Sequence, residues 1–231
     1  MLKGWVTVAL MTSVAAGAGA QLVGHPPERS PFRDLEHSRE WTYFAGYFSA
    51  KPDPEGVAPR SGPMVGARWD IRIGGPIYAT ARMAGAMLER RIIDPRQPAA
   101  ERLVGEERVP LLFGDLGFSM NLTGFKSWRG FVPVIHGGLG LTGDVRGKND
   151  VARYRFGVPF TFTYGAAMKW VPGRNWQMRL DWVNYLYRIH YPESYYLRTG
   201  TDDPVRLPNE PNSLWRRNVA FQLGLARFVG R

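Results

Sequence analysis

His136 is the one histidine inside a segment that reads as a strand, and Ser119 and Asp115 lie on the neighbouring expected strand, on the same face. A hydroxyl, an imidazole and a carboxylate on one surface can activate an oxygen nucleophile, the imidazole taking its proton and the carboxylate orienting the ring. His136 is followed by Gly137 and Gly138, and its face carries several charges, so we read it as satisfied within an interior charge network. His25, His37 and His190 stand apart from one another with no ligand partner at a useful spacing, and neither a metal nor another cofactor is expected. Gly137, Gly138 and Gly140 lie within a strand with no helix behind them, so they relieve strand crowding rather than cradle a phosphate. The other reactive groups are arginines. Arg90, Arg91, Arg155, Arg216 and Arg217 fall at the bases of polar connections, where guanidinium groups can grip phosphate oxygens in pairs.

The elements that would position these residues begin with an export signal. Lys3, an apolar run from Trp5 to Ala16 and the small residues Ala18-Gly19-Ala20 predict a Sec-type signal peptide over 1–20, cut near Ala20/Gln21. The apolar run is shorter than the roughly 20 residues of a spanning helix. Residues 21–40, with Pro26, Pro27 and Pro31 among charges, read as a flexible periplasmic leader. The chain has no cysteine, so its stability outside the cytoplasm does not depend on disulfides. Removing residues 1–20 leaves 29 basic against 20 acidic groups, a charge of +9. In an exported protein that balance points to anionic lipid or acidic glycan, and no nucleic-acid partner is expected.

From residue 41 onward the chain falls into segments of alternating polarity near 41–49, 64–74, 77–88, 111–123, 131–143, 158–170, 176–187 and 218–229. Ala67, Trp69, Ile71 and Ile73 share one face against Arg68, Asp70 and Arg72, and Trp176, Met178, Leu180 and Trp182 oppose Gln177, Arg179 and Asp181. A helix would scatter each set around its circumference. The connections alternate between long polar stretches (about 50–63, 89–110, 144–157 and 188–217) and tight turns at 74–76, 126–130 and 172–175. No later stretch reads as a membrane-crossing helix, and this rhythm predicts an all-β, closed, antiparallel up-and-down transmembrane barrel of about eight strands over 41–231.

Side-chain size sets the expected polarity. A lumen enclosed by about eight strands is just wide enough for side chains to fill, and large rings would overfill it. The rings are therefore assigned to the outside. Arg68, Asp70, Arg72, Arg82, Asp115, Lys169, Arg179 and Asp181 are assigned to a paired interior network. Trp41, Trp128, Trp170 and Trp176 fall at the turn end of the strands. Tyr47, Phe48, Tyr154, Phe156, Tyr185, Tyr187 and Trp215 fall at the other end, as two interfacial girdles would.

On these features the chain resembles the small eight-stranded outer-membrane barrels of the OmpA/OmpX type, over about 41–229. The resemblance implies a non-enzymatic barrel in the bacterial outer membrane, inserted by the barrel-assembly machinery, among outer-membrane lipids and lipopolysaccharide. Its role would be envelope integrity or binding of host or other surface ligands through the long loops. Family members usually end on an aromatic residue, whereas here Phe228 is followed by three more residues. Two alternatives stand beside this reading. One is a lipid A-modifying barrel enzyme, a deacylase or acyltransferase, centred on His136, Ser119 and Asp115. The other is a soluble periplasmic lipocalin-like carrier.

Overall fold

The computed structural model describes residues 30–35, 37–145, 151–173, 175–198 and 202–228. The expected signal peptide and half of the expected leader lie outside these residues.

Period-two alternation produces strands throughout. They are β1 (Phe32–Asp34), β2 (Arg39–Ser49), β3 (Gly62–Gly74), β4 (Ile77–Ile93), β5 (Leu103–Asn121), β6 (Lys126–Trp128), β7 (Phe131–Asp144), β8 (Phe160–Trp170), β9 (Trp176–His190) and β10 (Ser213–Phe228). All eight long strands pair antiparallel with their neighbours in chain order, β6 being passed over. Closure comes from β10 against β2, in register from Val219 opposite Ser49 to Phe228 opposite Glu40. Every backbone edge of the cylinder is thereby satisfied, which an open sheet cannot achieve.

Two differences from the sequence-based expectation concern length. Part of the expected leader is anchored: β1 pairs with β6, and Leu35 packs against Val132 and Val134. Below them the Arg72 guanidinium donates to the carbonyls of Leu35 and His37, at 3.0 and 2.6 Å. The second difference is at 89–110, expected as a loop but built largely as strand. Glu89 faces Arg108, Arg90 faces Glu107 and Arg91 faces Glu106 across β4 and β5. Charges that look like solvated loop in one dimension are cross-strand partners in three, and opposite charges set directly across a ladder extend it.

The two faces of the wall differ in polarity. Outside, Met83, Leu116, Val65, Phe118, Trp69, Phe160 and Trp182 are exposed, Met83 at 73% and Leu116 at 70%. Inside, Arg68, Asp70, Arg82, Lys169, Arg179 and Asp181 are all buried. The interior is nevertheless not polar throughout. Its turn-side half holds the charges; its loop-side half is an apolar cluster including Phe44, Phe48, Met64, Leu111, Phe113, Tyr185 and Tyr187. Rings were expected to overfill the lumen, but inward glycines make the space. A Cβ on Gly66 would stand 2.5 Å from the Phe44 ring, and one on Gly165 would stand 3.0 Å from the His136 imidazole.

Candidate functional site

One charged interior layer and a loop cap hold the buried charges of the described residues. The turn-side layer is built from inward positions of β2, β3, β4, β5, β8 and β9. Arg68 grips Asp70 through Nε and Nη2, at 2.8 to 3.0 Å, and reaches Asp181 at 3.4 Å. Thr80 donates to Asp70 at 2.6 Å, and Ser119 adds a longer contact at 3.3 Å. Arg179 donates to Asp181 at 2.7 Å. Arg82 holds Asp115 in a two-point pair at 2.9 and 3.1 Å, with Thr163 as a third donor at 3.3 Å. Lys169 pairs with Glu40, which also accepts from Gln177 at 2.8 Å. Four guanidinium or ammonium groups thus stand beside four carboxylates, and buried charge in that balance is sustainable where an unpaired one is not.

Of the eight residues assigned to the lumen, seven lie in this layer. Arg72 does not: it sits at the turn-side mouth, partly exposed, bonded to the Tyr78 hydroxyl and stacked over Tyr78 and Phe125. Glu40 and Gln177 complete the layer and were not singled out in the sequence, although Glu40 opens a strand whose inward set includes Thr42.

The nucleophile trio is not assembled. Ser119 and His136 face each other in register, yet each has other company. Ser119 bonds Asp70, Asp115 is occupied by Arg82, and the carboxylate near His136 is that of Asp181, 3.6 Å from Nε2. A buried carboxylate held by a guanidinium at two points is a poor orienter for an imidazole on another strand. Among the described residues no group of three or more His, Asp or Glu side chains is placed to hold a metal ion.

Above the apolar layer, the long loops fold inward into a cap. Asp53, from the first loop, is its centre. Its carboxylate accepts the backbone N–H groups of Val57 and Ala58 at 3.0 and 3.2 Å, the Arg216 guanidinium at 2.9 Å, and the Tyr191 hydroxyl. Tyr154 and Tyr195 are fully buried beside it, Arg90 stacks over Tyr154, and Arg206 stacks over Tyr191 at 4.2 Å. Arg206 also joins Glu55 at 3.6 Å and Glu210 at 3.2 Å. Burial pushes the Tyr191 phenol well above its usual range, and donation to the Asp53 carboxylate pushes it the same way. Burial likewise raises the Glu55 carboxyl, against the pull of Arg206.

This cap corrects two groups of expectations. Arg90 and Arg216 are buried in it, so of the five arginines assigned to phosphate gripping only Arg91, Arg155 and Arg217 are exposed. Alternation explains the split: Arg90/Arg91 and Arg216/Arg217 are adjacent pairs, and adjacent strand residues point to opposite faces. Phe48, Tyr154, Phe156, Tyr185 and Tyr187 are likewise inside, while Tyr47 and Trp215 are exposed at the loop-side end with Phe160 and Phe162. At the turn end Trp41, Trp128, Trp170 and Trp176 are all exposed.

No protein-family model matches the sequence, and a search of curated proteins finds no match. Solved structures do show likeness. Outer membrane protein OprG of Pseudomonas aeruginosa is similar over 85% of this chain and 99% of its own, at 9% identity and a TM-score of 0.50. Neisserial surface protein A aligns over 87% and 98%, at 10% identity and a TM-score of 0.46. The attachment invasion locus protein Ail of Yersinia pestis aligns over 82% and 98%, at 10% identity and a TM-score of 0.39. At such identities the likeness is one of fold: a small closed barrel of eight antiparallel strands.

Proposed function

We propose that this chain is a non-enzymatic integral barrel of the bacterial outer membrane, whose four long loops form a folded cap for surface contact. The observation that carries the reading is the inversion of polarity: large apolar side chains cover the outer wall, while seven of the expected lumen charges are buried and paired. Water makes such a wall costly at roughly 25 cal/mol per Å2 of apolar surface; acyl chains do not. A soluble carrier needs the opposite arrangement, with charges outward and an open apolar interior.

The four tryptophans at the turn end support a second boundary at that side, since indole rings settle at headgroup level. The turns would face the periplasm, and the loops the exterior. Arg91, Arg155 and Arg217 would then meet lipopolysaccharide phosphates at the outer rim. Phe228, the last aromatic of β10, would be read by the assembly machinery from the strand end. Against the lipid A-modifying enzyme stand the partners of these residues: Ser119 bonds Asp70, Asp115 is held by Arg82, and the carboxylate beside His136 is that of Asp181.

Heat-modifiability tests the membrane reading. The membrane fraction, run on a detergent gel with and without boiling, should show two mobilities, and the protein should resist extraction by alkaline carbonate. A single mobility together with recovery in the soluble periplasm would refute it.

A further inference from the structure

A second feature of the loop end lies outside the Asp53 cap. Pro95 and Arg96 of the second loop, Val151 to Arg153 of the third, and Pro192 to Arg198 of the fourth enclose a cleft of about 530 Å3. Three arginines from three different loops, Arg96, Arg153 and Arg198, line it, with Glu193 and Ser194. Such convergence is not available along any one segment of sequence.

The cleft walls are joined to one another. Ser194 donates to the Ala152 carbonyl at 2.8 Å, tying the fourth loop to the third. The Ala99 N–H donates to Asp202 at 2.9 Å and Arg102 donates to the Asp203 carbonyl, tying the fourth loop to the second. Arg153 has a φ of 62°, a left-handed conformation that an ordinary residue rarely holds unless its surroundings require it. Arg198 contacts Asp203 at 3.4 Å, with both side chains largely exposed, a pairing a stronger anion can displace. Arg96 and Arg153 make no ion pair with a described residue.

We propose that this cleft binds a saccharide carrying sulfate or phosphate groups. Three guanidinium forks suit tetrahedral oxyanions, which they can hold at two points each. The space is that of a small-molecule site and exceeds what a single inorganic anion fills. Its other walls are mixed. Glu193 and Ser194 can take sugar hydroxyls, while Pro95, Val151, Pro192 and Leu197 offer apolar surface to the C–H faces of a ring. A bare polyanion would meet Glu193 with nothing to offer it. The inference deepens the surface-contact reading above, and rests on it only for the side from which the ligand arrives. The two sources are a sulfated glycan from outside and the phosphorylated sugar of the membrane's own glycolipid.

The test is calorimetric titration of the purified full-length protein in detergent micelles, with three probes: inorganic phosphate, a sulfated disaccharide, and the deacylated bisphosphorylated glucosamine disaccharide. At least one disaccharide should bind about tenfold tighter than inorganic phosphate and weaken as salt rises. Arg96→Ala, Arg153→Ala and Arg198→Ala should each weaken it about fivefold, and the triple variant should abolish it. Arg153→Gly removes the guanidinium while relieving the left-handed backbone, so its loss of binding cannot be ascribed to strain. Arg108→Ala, exposed beside Glu89 but outside the cleft, should bind as the parent does. Preference for the sulfated probe assigns an external source, and preference for the phosphorylated one assigns the glycolipid. The proposal is overturned if neither disaccharide outbinds phosphate, or if the triple variant binds normally. Binding is read in micelles and the membrane reading by gel mobility, so either can fail without the other.

Discussion

Breaking the Arg82–Asp115 pair from one side measures whether the lumen charges hold the barrel together. Both side chains are nearly excluded from solvent, at 3% and 7% exposure. Asp115→Asn keeps the shape, removes the negative charge and leaves the guanidinium without its counterion. Two charge-assisted hydrogen bonds are weakened, at 2.9 and 3.1 Å, each worth about 1.5–3 kcal/mol net. Arg82 keeps its place over the Tyr185 ring at 5.3 Å, which moderates the loss. The expected cost is therefore about 3 kcal/mol, at the lower end of the range for orphaning one member of a buried pair. With a slope of about 2 kcal/mol per molar urea, the unfolding midpoint in lipid vesicles should fall by about 1.5 M. Replacing both partners, Arg82→Met with Asp115→Leu, should cost far less than the two single changes combined, because no charge is stranded. Tryptophan fluorescence against urea supplies all four corners of the cycle. An Asp115→Asn cost below about 1 kcal/mol, or strict additivity in the double variant, would show that the pair is decoration rather than structure.

Leu116→Arg places a charge on the outer wall, and should cost about 2–4 kcal/mol by the same urea assay if that wall meets acyl chains, but under about 0.5 kcal/mol if it meets water. Asp53→Ala removes the acceptor for four donors, and should free the first loop to protease within 50–61 while the heat-dependent gel shift persists; unchanged digestion would contradict its place at the centre of the cap. Tyr191 should ionise later than the ordinary value of 10.0, so Tyr191→Phe should remove tyrosinate absorbance from the most alkaline part of the titration and none near pH 10. Because its folded-state value is raised, its contribution to the cap is complete below the unfolded value and is lost as pH climbs through the folded one. Gly117→Val should block assembly, since a Cβ there would stand 2.6 Å from the Gly138 Cα, whereas Gly114→Ala should be tolerated because nothing lies within 4 Å.

The alternation of side chains carries the wall of this protein almost completely. Trp69, Phe160 and Trp182 on one face and Arg68, Asp70 and Arg179 on the other already state which residues share a surface, since strand periodicity is local and needs no partner. The order of long and short connections then implies an even, closed set of strands. What alternation cannot state is where along the barrel axis a strand stops being barrel wall and becomes loop-side cap. Arg90 and Arg216 looked like surface arginines because their neighbours are charged, and Tyr185 and Tyr187 looked like a girdle because they stand near a strand end. Both pairs face inward and take partners that only the fold supplies: Arg216 meets Asp53, Arg90 lies over Tyr154, and Tyr185 and Tyr187 pack on Phe113 and Phe156. The same holds for Asp53 with Tyr191, for Glu40 with Lys169, and for the three arginines of the outer cleft. Period and polarity are properties of a segment and can be read from it. Partnership is a property of register, closure and loop path, and only the closed barrel decides which charge meets which.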